Sequence, residues 1–306
     1  MNNLWDQTIK IDIPKAIKLI ESQTDLTIDD IRLIGEGFDN LAFLVNSQYV
    51  FRFPRRESGI TCMENEILAL PYLAKHLSFD ITTPEFIGHT EQFPFAGYKL
   101  IQGKTLCDAA EAFITSHQFA EIFANWLKEL HSIPIMPGHQ DLLKSTWRLD
   151  IENRITALLN SLSKYQEYYQ LSGFSINQLE ETIKAFANLN VVEYSQVYLH
   201  GDLYFKHIMV NNNIMPTGLI DWGDIHIGHP GIDLSAAIMI FDDKTLDHFF
   251  KSYGTKNEEL MKVAVFRALC HNLIFLPYAW TNNHTKARDW CIKAISRTMH
   301  LYQIAS

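Results

Sequence analysis

The stretch from His200 to Asp224 constrains this chain more than any other. His200-Gly201-Asp202-Leu203-Tyr204-Phe205-Lys206-His207 is a polar loop entered from the apolar run Val197-Tyr198-Leu199 and left through Ile208-Met209-Val210. Asn211-Asn212-Asn213 then offers residues that tolerate the positive φ of a tight turn, and Gly218-Leu219-Ile220 returns to Asp221-Trp222-Gly223-Asp224. The pattern predicts a hairpin that carries Asp202, His207 and Asp221 to one mouth. Phosphoryl transfer uses such a set: one carboxylate to orient and deprotonate a hydroxyl, and ligands for Mg²⁺ on nucleotide phosphates. The plainer reading is a core hairpin with polar ends. Two acidic clusters, each bounded by apolar strands, favour chemistry.

A chain of 306 residues, 47% of them hydrophobic, buries a sizeable core in two lobes and is not a disordered segment. Met1-Asn2-Asn3-Leu4-Trp5-Asp6 lacks the basic and apolar blocks of a secretory signal. The longest near-apolar run, Leu234 to Phe241, is too short to span a bilayer, so no membrane role and a cytoplasmic location are expected. Cys62, Cys107, Cys270 and Cys291 form no C-x-x-C pair and read as reduced, buried thiols. A formal charge of −9 argues against a nucleic-acid partner and favours cationic small ligands.

Before the hairpin, a helix is expected over Asp12 to Ser22, with Pro14 in its first turn. Ile31 to Ile34 and Leu41 to Val45 read as strands around Gly35-Glu36-Gly37, a turn whose backbone N–H groups could approach phosphates, although a plain turn would look similar. In the next strand Tyr49, Phe51 and Phe53 share one face and Arg52 lies on the other, a cation in need of a reason unless it points to water at an edge. Thr61 to Leu77 has a helical stripe that Pro71 should kink or divide. Glu64 and Glu66 there could reach Arg52, with solvated carboxylates as the default.

Pro84 to Gly88 and Phe95 to Ile101 read as two more strands, and Gln102-Gly103-Lys104-Thr105 breaks the pattern. That break divides a β-rich lobe, residues 1–101, from a mostly helical lobe, residues 102–306. His117 to Leu130 is the strongest helix, its stripe being core packing. Ile151 to Leu162 and Ile176 to Phe186 form a helical insertion at about 144–192. Ile232 to Phe241, Leu246 to Tyr253, Glu258 to Leu276 and Lys286 to Tyr302 complete the chain as helices.

Taken in order, the glycine-bearing turn, the strand with Arg52, the helix with a carboxylate, the hinge, His200-Gly201-Asp202 and Asp221-Trp222-Gly223 resemble the aminoglycoside/macrolide phosphotransferase family of antibiotic kinases, distant relatives of protein kinases. His200-Gly201-Asp202-Leu203-Tyr204 with His207, and Phe51-Arg52-Phe53-Pro54-Arg55-Arg56, look like macrolide 2′-phosphotransferases. Phe95-Ala96-Gly97-Tyr98 through Gly103 looks like the hinge of aminoglycoside 2″-phosphotransferases. The resemblance implies an α+β, bilobal, protein-kinase-like fold and an enzyme that moves phosphate from GTP or ATP, with Mg²⁺, to a hydroxyl of a cationic small molecule.

Residue by residue, the resemblance implies Asp202 as the catalytic aspartate and Asp221 and His207 as metal ligands. It further implies Gly35, Gly37, Arg52, Glu66, Lys99 and Ile101 as nucleotide-binding positions, Glu66 as the partner of Arg52 and Ile101 through its hinge backbone. Asp233 is expected to hold the backbone of the catalytic loop. The common family pattern has asparagine at His207 and lysine at Arg52, although both branches carry the histidine. Mg²⁺ prefers oxygen ligands, so His207 would bind it only as a neutral imidazole.

Two other classes remain open. A metallophosphoesterase would ligate metal with His200, Asp202 and His207, but would require a bridging carboxylate and further histidines, and leaves Arg52 unexplained. A non-catalytic nucleotide-binding module would keep the fold without turnover. The expected acceptor is a macrolide 2′-hydroxyl rather than an aminoglycoside hydroxyl: the resemblance of His200–Tyr204 and Arg52–Arg56 implies it, and Ala236 to Phe241 and Leu273 to Trp280 offer apolar walls with few acids unless they are simply buried helix. An aminoglycoside or another metabolite stays as the alternative.

Overall fold

The computed structural model describes residues 9–37, 39–142, 147–189, 191 and 196–305. The strands before the hinge are β1 (Ile31–Glu36), β2 (Asn40–Val45), β3 (Tyr49–Pro54), β4 (Asp80–Ile81), β5 (Pro84–His89) and β6 (Pro94–Lys99). After it come β7 (Lys104–Thr105), β8 (Val197–Leu199), β9 (Ile208–Val210), β10 (Pro216–Leu219) and β11 (His226–Gly228). The first helices are α1 (Ile13–Glu21), α2 (Glu57–Leu73), α3 (His117–Ser132) and α4 (His139–Leu142). Then follow α5 (Ile151–Lys164), α6 (Gln166–Leu171), α7 (Ile176–Ala185), α8 (Gly231–Ile240), α9 (Asp243–Tyr253), α10 (Glu258–Thr281) and α11 (Thr285–Ala305). The architecture is α+β, a small antiparallel-sheet lobe beside a larger helical one, and 54% of the described residues are helix.

The first sheet has five antiparallel strands in the order β1-β2-β3-β6-β5. Alternation along β3 buries Phe51 and Phe53 against Phe43 and Phe95, with Phe53 and Phe95 stacked at 4.7 Å. Each such ring contributes about 1.5–3 kcal/mol by leaving water. The same alternation turns Arg52 to the opposite face, toward α2. Gly35 lies within β1 beside a register shift, and only Gly37 falls in the turn.

α2 runs four residues earlier than the periodicity predicts. It starts after Arg56 in an extended conformation, with Glu57 favourably placed in the first turn, and Pro71 neither divides it nor lets it run far. Pro71 has no N–H to donate, and the helix stops two residues beyond it.

The hairpin is β9 and β10, antiparallel, flanked by β7 on β9 and by β4 in parallel on β10. Backbone pairing therefore crosses residue 101. Two details differ from the sequence reading. β8 pairs with β11, not with the hairpin. The positive φ of the turn falls on Ile214 (59°), because Asn211 spends its Oδ1 accepting from the N–H groups of Asn213 and Met215. Gly103 has φ 128°, and a Cβ there would lie 2.3 Å from the Val210 carbonyl oxygen, so the hinge lies directly against β9.

The core of the helical lobe packs α3 on α9 and α10 between α8 and α11. The stripe of α3 is core as expected: Phe119, Phe123, Leu127 and Leu130 are buried. Of the insertion, α5 and α7 are present, α6 lies between them, and its expected limits at 144 and 192 fall outside the described residues. α8 is buried along its whole length, so Ala236 to Phe241 is interior and not a ligand wall. α10 is long and apolar enough to cross a membrane by length and composition, but 72% of its most apolar window is buried inside the protein. It is packed as a core helix, with Arg267, His271 and Asn272 interrupting the apolar run.

Candidate active site

The loop between β8 and β9 is held from below by a buried carboxylate. Asp233 on α8 accepts from the backbone N–H groups of His200 (2.7 Å) and Gly201 (2.9 Å), the role expected of it. Gly201 has φ 85°, and a Cβ there would meet the Asp224 carbonyl oxygen at 2.2 Å, so only glycine fits. His200 is buried and joins the two acidic segments. Its Nε2–H donates to the Ile220 carbonyl (2.9 Å), while Nδ1 accepts from the Asp202 N–H (3.3 Å).

Asp202, His207 and Asp221 do come together. His207 Nδ1–H donates to the Asp202 carbonyl oxygen (2.7 Å), and its Nε2 faces the Asp221 carboxylate at 3.3 Å. Tyr204 closes over the imidazole, the rings 4.4 Å apart. Burial alone would hold His207 neutral, but the carboxylates of Asp221 and Asp202 outweigh it and raise its pKa. Asp221 adopts φ 64°, rare for a residue with a side chain, and such strain gathers at functional positions. Burial opposes its charge, yet Arg52 and His207 hold its carboxyl well below the usual range.

Arg52 reaches into this group from the first sheet. Its Nη1 donates to both oxygens of Glu66 (2.7 and 2.9 Å) and its Nη2 to Asp221 (2.5 Å). Glu66 is fully buried and also accepts from the Tyr98 hydroxyl at 2.8 Å, whereas Glu64 is exposed. The solvated default thus holds for Glu64 and fails for Glu66. Burial raises the Glu66 carboxyl against the pull of Arg52, and the guanidinium, despite its own burial, is held charged by Glu66 and Asp221.

The remaining expected positions lie farther out. Gly37 N–H donates to the Asn40 carbonyl within the turn. Lys99 ends β6 with an exposed side chain, and Ile101 follows in the half-buried hinge.

Three groups escaped the sequence reading. His271 on α10 brings Nδ1 within 3.4 Å of Asp202 Oδ1. Buried Arg148 forms an ion pair with Asp224, and its charge also acts on Asp202. Tyr98 completes the Glu66 cluster. Burial works to raise the Asp202 carboxyl, but His271, His207 and Arg148 together lower it, so it stays ionised. No local motif marks these residues. For His271 the nearest signal is its place one helical turn after Arg267 in the mostly apolar middle of α10.

The donor set fits Mg²⁺. Asp221 turns one oxygen to Arg52 and the other toward His207, and its side chain keeps 46% of its surface exposed. One carboxylate suffices for an ion that keeps most of its shell for water and phosphate oxygens, and His207 would join it only as the neutral imidazole. Among the described residues no group of three or more His, Cys, Asp or Glu could hold a metal ion by itself, the arrangement a two-metal hydrolase requires.

Comparison with known proteins agrees with this fold. The structure of the GDP and kanamycin complex of APH(2″)-IIIa superposes with a TM-score of 0.69 at 24% identity, over 94% of this chain and 97% of that one. The apoenzyme of macrolide 2′-phosphotransferase MphH from Brachybacterium faecium gives 0.62 at 18% identity, over 93% and 97%. Among curated proteins, the uncharacterized protein YcbJ of Bacillus subtilis is 23% identical over 223 residues, 67% of each chain. The model of the phosphotransferase enzyme family (APH) matches residues 30–266, and this chain, a phosphotransferase, belongs to that family.

Proposed function

We propose that the protein is an NTP- and Mg²⁺-dependent O-phosphotransferase acting on a small molecule. One observation carries the reading: His207 touches both acidic residues, so the Asp202 backbone and the Asp221 carboxylate are fixed on either side of one imidazole. In this reading Asp202 receives the acceptor hydroxyl and takes its proton as transfer proceeds. Asp221 and His207 hold Mg²⁺, which when bound neutralises charge on the phosphates. Arg52, positioned by Glu66, binds the phosphate chain, Gly35 and Gly37 border it, and the hinge at Lys99 and Ile101 receives the base. GTP and ATP are both admitted as donors, since related structures hold GDP or ADP. A cytoplasmic enzyme with lobes at 1–101 and 102–306 is part of the same reading.

For the acceptor we favour a macrolide 2′-hydroxyl over an aminoglycoside hydroxyl. Buried Tyr204 and half-buried Phe275 and Tyr278 form a connected aromatic cluster that reaches Asp202 through His271. Lys206 lies over the Phe275 ring, and buried Arg148, paired with Asp224, and buried Arg267 offset part of the charge of Asp202 and Asp224. Such surroundings suit a largely apolar acceptor and offer a polycation few free carboxylates. The same balance also admits the second reading, a kinase of another metabolite. The test is consumption of GTP and ATP with erythromycin, kanamycin, and choline- or sugar-like hydroxyl compounds. Phosphorylation of erythromycin is expected. Phosphorylation of kanamycin alone would overturn the choice of acceptor, and no consumption with any compound would overturn the enzymatic reading.

A further inference from the structure

We propose that His271 is a positioning residue for Asp202: its Nδ1–H holds one carboxylate oxygen, so that the other is presented to the acceptor hydroxyl. The inference rests on the functional reading above for the role of Asp202, but its geometry stands independently. Asp202 is fixed at its backbone by His200 and His207, which contact its N–H and carbonyl. Neither contact fixes the rotation of the carboxylate about its own side-chain torsions.

His271 supplies that constraint. It comes from α10, a core helix distant in sequence, and places Nδ1 3.4 Å from Asp202 Oδ1. The ring cannot easily turn away. Tyr204 lies 4.3 Å from it and Phe275 5.8 Å, centroid to centroid, and only 11% of the side chain is exposed. Its Nε2 is buried with no hydrogen-bond partner among the described residues. A buried N–H without an acceptor costs more than a buried lone pair there, so the proton belongs on Nδ1, pointing at Asp202. At 3.4 Å the bond is long, as catalytic hydrogen bonds are before the reacting complex forms. His271 touches Asp202 rather than any acceptor, so its effect on turnover passes through the carboxylate.

Two measurements on the full chain test this. In ¹⁵N-histidine two-bond correlation spectra, with the His271 signals identified by their loss in His271→Asn, wild-type protein should show the Nδ1–H tautomer. Asp202→Ala should convert it to a mixture. A dominant Nε2–H tautomer in wild type, or one indifferent to Asp202→Ala, would overturn the proposal whatever the enzyme phosphorylates. In the second, transfer from GTP to erythromycin is followed. His271→Leu should lower kcat on the order of 10²-fold, the effect of a misplaced reacting group, with both KM values within about twofold. His271→Asn, whose amide N–H stands near the Nδ1 position, should recover most of that loss. Equal defects in both variants, at melting temperatures equal to wild type, would also overturn the proposal. If wild type phosphorylates none of the compounds tested, the enzymatic reading fails and the tautomer alone decides the role of His271.

Discussion

Glu66→Gln isolates what the buried carboxylate of α2 contributes. Arg52 and Glu66 form an ion pair with side-chain exposures of 11% and 0%, so solvent screens it little. Glutamine preserves the volume. Its amide nitrogen, however, is a donor facing either Arg52 or Tyr98, both of which donate to Glu66 now. At least one hydrogen bond and the whole charge are lost. Removing one partner of a buried pair costs about 3–5 kcal/mol. Arg52 keeps Asp221 as a second anion, which places the cost near the lower end. Unfolding entropy is ~2.1 cal/mol/K per residue, and over 306 residues a loss of about 3 kcal/mol lowers Tm by about 5 °C. Calorimetric melts should show that drop, while the exposed neighbour Glu64→Gln should stay within about 0.5 kcal/mol of wild type. Titration of Mg·GTP should show weaker binding in Glu66→Gln, because Arg52 then leans on Asp221 alone. If Glu66→Gln melts with Glu64→Gln, the buried ion pair is not what holds Arg52.

Asp202→Asn should lower phosphoryl transfer by about 10²–10⁴-fold with nucleotide affinity nearly unchanged, since the carboxylate serves the acceptor; wild-type turnover would refute the assignment. Asp221→Ala should lose Mg²⁺-dependent nucleotide binding as well as turnover, whereas His207→Asn should keep activity and His207→Leu should not; titration of Mg·NTP into the three variants decides. Gly201→Ala should destabilise the fold by about 1–3 kcal/mol and misplace the loop, because its φ is 85° and a Cβ would lie 2.2 Å from the Asp224 carbonyl oxygen; an unchanged denaturant midpoint counts against this. Burial lowers His226 and His229 to about 4, so the folded state resists their protonation. Their contribution, on the order of 3 kcal/mol each, is complete above an unfolded pKa of about 6.5 and lost as pH falls toward 4. Equal stability at pH 7.5 and pH 5 would contradict it.

The parts legible in the sequence are those where chemistry and periodicity act locally. Arg52 opposite Phe51 and Phe53 followed from strand alternation, and His200 to Asp221 from polar loops set between apolar runs. The stripe of α3 followed from its spacing. What the sequence withheld was long-range. Nothing local shows that β8 pairs with β11, that Asp80-Ile81 joins the hairpin, or that His271 meets Asp202. The asparagine run misled because Asn211 used its side chain to cap the turn, which left Ile214 to take the strained φ. Ala236 to Phe241 misled for another reason: an apolar helix segment reads alike whether it lines a ligand or fills a core, and burial on every side decides for the core.

The Arg52–Asp221 contact has a consequence for how the two parts of the molecule work together. Arg52 belongs to the first sheet and Asp221 to the loop after β10, and an ion pair at 2.5 Å joins them directly. Glu66 anchors the other side of the guanidinium, so Arg52 is held while Asp221, nearly half exposed, is the freer partner. In the proposed reaction both groups serve the same phosphate chain, one as a cation upon it and the other through the metal. A phosphate entering between them replaces a direct attraction by two attractions to a common ligand, and the charge of Arg52 remains satisfied at every stage. Lysine at this position would offer one ammonium to Glu66, Asp221 and phosphate in turn. Arginine has two terminal nitrogens in a rigid fork and divides the task, Nη1 for the anchor and Nη2 for the exchangeable partner. The departure from the common lysine is therefore compatible with the geometry that the proposed phosphoryl transfer requires, and it ties the sheet to the β9–β10 hairpin by a contact that a phosphate would replace in that reaction.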